Sequence, residues 1–203
     1  MDLCHLFFWL KLRWMNAPRE FVGVAAAFAC GFCVLYASLD AESSGTTEKA
    51  AMQLTSTAFS EGQAIPEKHT CEGKNVSPAL KWSHAPNATK TLVLIADDPD
   101  APSGTWVHWV LYDLPQTVSG LPEDLPKSQY TPQGAKQGLN DFKHLGYGGP
   151  CPPPGKPHRY FFKLYALDAP LNLKPGATKQ EVERAMEKHI LAEGRLMGTY
   201  KRK

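Results

Sequence analysis

Residues 91–114 read TLVLIADDPDAPSGTWVHWVLYDL. The stretch opens on Thr91–Ala96, a short β-branched, apolar run that reads as a strand buried on both faces. It closes on Trp106–Leu114, a second strong strand. A strict period of two puts Trp106, His108, Val110 and Tyr112 on one face, and Val107, Trp109 and Leu111 on the other. Between the strands, Asp97, Asp98 and Asp100 stand at the mouth of the buried run, where a carboxylate is costly unless solvated or paired. Pro99 and Pro102 fix φ and remove backbone donors, so the connection is stiff. A stiff turn can hold a carboxylate for a ligand, and taken alone the same residues also suit an ordinary acidic turn.

Outward in both directions the pattern stays β-like. His158–Leu167 forms a third strand, with His158, Tyr160, Phe162 and Leu164 sharing a face. It follows residues 146–157, GYGGPCPPPGKP. In that stretch Gly146, Gly148 and Gly149 would let backbone amides approach a ligand closely. On the N-terminal side, Leu80–Trp82 forms a short strand, and Met52, Leu54 and Phe59 start another pattern. Only one helix is evident. Thr178 and Glu181 form a capping box. Val182, Ala185, Met186, His189 and Ile190 then follow on one helical face. Gly194 suits the C-terminal cap, and Arg195–Tyr200 returns as a short strand. The 16 Gly and 17 Pro favour many short elements joined by turns. The fold class is therefore mainly β: an antiparallel sandwich with a C-terminal amphipathic helix and long loops, the longest from Pro115 to Pro157. A doubly wound α/β fold is excluded, because helices do not alternate with strands.

The 203 residues suit one domain with an appendage. We place the domain at 52–203, a polar linker at 40–51, and an N-terminal signal peptide or membrane anchor at 1–39. Phe21–Leu39 is uncharged, is preceded by Lys11, Arg13 and Arg19, and ends near small residues. Cleavage would suit Ala37 or Ala41. Met15 is an alternative start, and an uncleaved anchor is the other reading. The expectation is an exported protein of the periplasm or cell envelope, touching a membrane only through this segment. In an exported chain Cys71 and Cys151 can bridge; the alternative is two separate loop thiols. A net charge of +2 with no basic stripe gives no case for nucleic acid.

No G-x-S-x-G elbow, phosphate loop or paired-cysteine zinc spacing is present. Cys151 with His158 would make a nucleophile and base, and Asp98, His108 and His158 would make a metal triad.

Taken together, DPDAP, then WVHW, then GYGGPCPPPGKPHRY resemble the phosphatidylethanolamine-binding protein family, which includes the Raf kinase inhibitor protein. HTCEGKNVSPALKW, NDF and HILAEGRLMGTY resemble its bacterial branch, and the likeness spans residues 52–203. It implies antiparallel sheets with a small pocket for phosphate-like or carboxylate anions, phospholipid head groups among them. Matched by motif, the ligand-binding residues are Asp98, Pro102, Trp106, His108, Gly148, Gly149, His158 and Tyr160. The expected function is non-catalytic binding of a small anionic ligand without a cofactor. A metal-dependent enzyme and a surface inhibitor of a kinase or protease are the alternatives. Bacterial relatives often form homodimers.

Overall fold

The computed structural model describes residues 50–203. The proposed signal or anchor at 1–39, and the linker up to residue 49, lie outside the described residues. Nine strands, one α-helix and a single 3-10 turn at Glu67–His69 follow: β1 (Ala50–Ala51), β2 (Gln53–Ser56), β3 (Leu80–Ser83), β4 (Thr91–Asp98), β5 (Trp106–Pro115), β6 (Gly120–Leu121), β7 (Lys136–Gln137), β8 (His158–Leu167), α1 (Lys179–Met186) and β9 (Ile190–Tyr200). Ala50 and Ala51, expected in the linker, thus begin the sheet. A six-stranded sheet runs β1-β9-β8-β4-β5-β7, and a three-stranded sheet runs β2-β3-β6. Every pairing is antiparallel except that of β1 with β9.

β4 lies at the centre, between β5 and β8, and is buried along its whole length. Leu92, Leu94 and Ala96 face the core between the sheets, with Leu54, Leu80 and Trp82 opposite. Val93 and Ile95 face the second cluster, which Val182 and Met186 of α1 cover. That two-sided burial is what a continuous apolar run predicts, at about 2 kcal/mol for each fully buried Leu or Ile.

The capping box forms as expected: the Thr178 hydroxyl accepts the Glu181 amide, and the Glu181 carboxylate accepts the Thr178 amide. The helix, however, ends at Met186. His189 instead bonds Asp168, and Ile190 already belongs to β9, paired with Leu167. Gly194 is not a helix cap. It sits inside β9, where a Cβ would lie 2.7 Å from the Met52 carbonyl oxygen. Glycine there lets the chain cross from β1 to β2. The helical periodicity of residues 182–190 was outweighed by the ladder that β8 offers to residues 190–194.

β5 departs from its expected alternation. Its ten residues lie opposite eight of β4, and the register skips twice. Ala96 faces Trp109 and Asp97 faces Val107, so His108 is the extra residue of a β-bulge. The bulge puts two consecutive residues on one side. Trp109 and Leu111 join the inter-sheet core, while Val107, Val110 and Tyr112 join the cluster under α1. Trp106 and His108 therefore belong with Trp109, not with Val110 and Tyr112.

Candidate functional site

At one end of the inter-sheet core lies a cavity of about 270 Å³. Asp98 and His158 enter from the ends of β4 and β8, and Trp106 and His108 from β5. The β4–β5 turn adds Ala101, Pro102 and Ser103, and the loop before β8 adds Phe142, Cys151, Pro152 and Pro153. The walls are mostly apolar, and no Lys or Arg lines them.

Asp98 is fully occupied by the protein. One carboxylate oxygen accepts the Asp100 amide at 2.8 Å, and the other accepts Nδ1 of His158 at 2.8 Å. Both side chains are buried, so a carboxylate that would be costly alone is paired. Next to this pair, Arg159 grips Asp100 with two guanidinium bonds of 2.9 and 2.7 Å and donates its amide as well. The guanidinium holds the Asp100 carboxyl down at about 2. Two adjacent pairs thus lock the β4–β5 turn onto the start of β8.

His108 is held by a different element. Its Nδ1 lies 2.6 Å from the Gly148 carbonyl oxygen, and its own carbonyl accepts the Gly148 amide at 2.8 Å. The bulge leaves backbone groups of β5 without ladder partners, and this loop satisfies them. Asp141 takes the Val107 amide through its carboxylate and donates its own amide to the Val107 carbonyl. Burial lowers the His108 pKa from its ordinary value, against the raising effect of the Gly148 carbonyl. The ring is therefore neutral at pH 7, with its proton on Nδ1 and a lone pair on Nε2.

Gly148 and Gly149 do not offer amides to the cavity, and that expectation is corrected. The Gly148 amide goes to His108, and the Gly149 amide goes to Asn75 at 2.7 Å. Glycine is needed for packing instead. A Cβ at Gly149 would lie 2.2 Å from the His69 carbonyl oxygen, and one at Gly148 would lie 2.6 Å from the Phe142 ring. The same wall is joined to residues 69–75 by the Cys71–Cys151 disulfide, by the Cys71 amide on the Pro150 carbonyl, and by the Tyr147 hydroxyl on the His69 carbonyl. The cysteines bridge, so Cys151 is not a free thiol beside His158.

Tyr160 stands behind the cavity, its ring edge-on to His108 at 5.2 Å. Its hydroxyl is buried without a hydrogen-bond partner, and burial, reinforced by Asp98, pushes its pKa up. The five residues Asp98, Pro102, Trp106, His108 and His158 thus meet in one cavity; Tyr160 backs it, and the two glycines build its wall. Sequence reasoning did not single out Phe142, which stacks edge-on against both Trp106 and His108 at 5.4 Å. The NDF triplet was its only signal. The Asp100–Arg159 clamp carried no separate signal either.

A model of the phosphatidylethanolamine-binding protein family matches residues 55–201. The chain belongs to this family. It is 51% identical over 151 residues to a UPF0098 protein of Methanothermobacter thermautotrophicus, covering 74% of this chain and 99% of that one. It is 50% identical to a UPF0098 protein of Aquifex aeolicus, over 75% of this chain and 90% of the relative. Among solved structures, E. coli YbcL, described as a member of the mammalian PEBP family, superimposes with a TM-score of 0.71 at 36% identity. It covers 76% of this chain and all of YbcL. A family homolog from Chlamydia trachomatis gives a TM-score of 0.68 at 44% identity, over 75% and 99% of the two chains.

In this member of the phosphatidylethanolamine-binding protein family the site residues do not form the metal triad considered from sequence. Among the described residues no three His, Cys, Asp or Glu side chains are grouped to hold a metal ion. Asp98 spends one oxygen on His158 and the other on Asp100. The Asp98–His158 pair does fix the orientation of an imidazole, with Nδ1 toward the carboxylate and Nε2 left over. Neither Nε2 has a protein partner among the described residues.

Proposed function

We propose that the cavity binds a small oxyanion, phosphate-like or carboxylate-like, and that it binds without reacting. The observation that carries this reading is His158 held by Asp98 at the mouth of a cavity with apolar walls. With Nδ1 fixed on Asp98 at 2.8 Å, Nε2 is the nitrogen left for a ligand, and a proton carried there is presented as an N–H to a ligand oxygen. Pro102, Pro152, Pro153 and Phe142 exclude water around that contact, which strengthens it. Neither histidine has a hydroxyl or thiol bonded to it among the described residues, so the pair has no nucleophile to activate. The organic part of a phosphomonoester would rest on the apolar walls. A phospholipid head group is one ligand of this type.

The test is isothermal titration of the purified protein with inorganic phosphate and with acetate, beside a His158→Gln variant. Binding heats are expected from the parent for at least one anion and none from the variant. Equal heats from both proteins would sink the reading.

A further inference from the structure

The cavity is poor in fixed positive charge. No Lys or Arg lines it, and its one carboxylate, Asp98, is already bonded to His158. The nearest guanidinium, Arg159, is turned to Asp100. The second histidine adds no N–H. With Nδ1 of His108 on the Gly148 carbonyl at 2.6 Å, the nitrogen left for a ligand is an acceptor. The other groups around His108 reinforce this. Asp97 and Asp98 approach from β4, Tyr160 from β8 and the Phe142 ring from the loop, and none is a cation. A fully ionised oxyanion would therefore meet one donor ring at His158 and one lone pair at His108. Placing acceptor against acceptor in a water-poor site leaves both unpaired, a cost that amounts to tenfold or more in affinity by general experience.

We infer that this pocket selects oxyanions that still carry a proton, and that the proton is donated to Nε2 of His108. The ligand class is thereby narrowed to hydrogen phosphate, phosphomonoesters in their singly protonated form and carboxylic acids near their pKa; sulfate and sulfate esters are rejected. His158, held by Asp98, takes an ionised oxygen, and His108 reads the O–H. The inference rests on the anion-binding reading given above.

Phosphate and sulfate are the probes, because they match in shape while phosphate carries a proton at neutral pH and sulfate carries none. Calorimetric titration of the protein at pH 6.5 is expected to give a phosphate affinity at least about tenfold above that for sulfate. His108→Asn keeps an N–H for the Gly148 carbonyl, and its amide oxygen stops short of the Nε2 position, so the ratio should fall to about one. Equal affinities in the parent overturn the selectivity and leave anion binding standing. Binding of neither ion overturns both. A ratio retained in the variant removes His108 from the role. Nitrogen-15 NMR of the parent gives an independent reading: in the phosphate complex the His108 Nε2 resonance should be that of an unprotonated, hydrogen-bonded nitrogen. An imidazolium pattern there overturns the proposal.

Discussion

His108 is the residue whose surroundings matter most for how the site behaves with pH. Its pKa is depressed by burial below the ordinary 6.5. A histidine depressed in the folded state contributes stability that is present above the unfolded value and is lost as pH falls through the folded one. The protein should therefore lose stability on acidification below about 6.5, and His108→Asn should flatten that part of the profile. Urea unfolding of both proteins between pH 7.5 and 5 checks this; parallel curves would remove His108 as the cause. The residue type and its neighbours DPDAP and GYGG were legible in the sequence, and the structure puts Asp98, His108 and His158 in the lining of one cavity. The state of the ring was not legible. It depends on one carbonyl, that of Gly148, forty positions away. Likewise the glycines signalled close approach, but only the fold shows that they approach His69 and Phe142.

At the scale of elements, α1 is attached to the sheet by charge as well as by Val182 and Met186. Asp97, fully buried, accepts from Lys163 of β8 at 2.9 Å and from Lys179 of α1 at 2.6 Å, both on Oδ2. Burial works to lower the Lys179 pKa, and the Asp97 carboxylate outweighs it, so the net shift is upward. Removing one member of such a cluster strands the others, so Asp97→Ala should cost about 3 kcal/mol. Lys179→Met should cost less, because Lys163 still pairs with the carboxylate. Denaturant melts rank the two, and the reverse order would contradict this account. Sequence periodicity found α1, its cap and its buried face. It extended the helix past Met186 because His189 and Ile190 continue the 3.6 spacing. The end is set by long-range pairing with β8, which no local pattern contains. The strands β4 and β8 were readable for the opposite reason: their apolar pattern is strong enough to specify burial without knowing the partners.

At the scale of the whole molecule, the Cys71–Cys151 bridge spans 80 positions. It joins the segment between β2 and β3 to the cavity wall before β8. Closing a loop of that length restricts the unfolded chain by about 4.5 kcal/mol in the chain-entropy model. A Cys71→Ser, Cys151→Ser double variant should therefore unfold at clearly lower temperature and denaturant concentration, with the cavity wall affected before the sheets. Calorimetry of stability and of phosphate binding on the same sample separates the two effects; unchanged stability would refute the first. The sandwich architecture followed from composition and pattern alone. Which two loops meet at Cys71 and Cys151 did not, since two cysteines in a sequence also suit separate loop thiols.

The bulge at His108 has a consequence for how such a site can be gained or lost. Because Val107 and Trp109 already keep company with Asp97 and Ala96, deleting His108 would leave every other β5 side chain on its present face. The chief loss would be the acceptor for the Gly148 amide, about 2 kcal/mol. Deleting Val110 would instead let the bulge close and move Trp109 out of the inter-sheet core into the layer under α1, so it should destabilise the fold far more. Circular dichroism melts of the two single-residue deletions distinguish these outcomes. The histidine thus occupies a position that the sheet can spare, so recognition can be altered there by insertion, deletion or substitution while the core stays under its own separate selection.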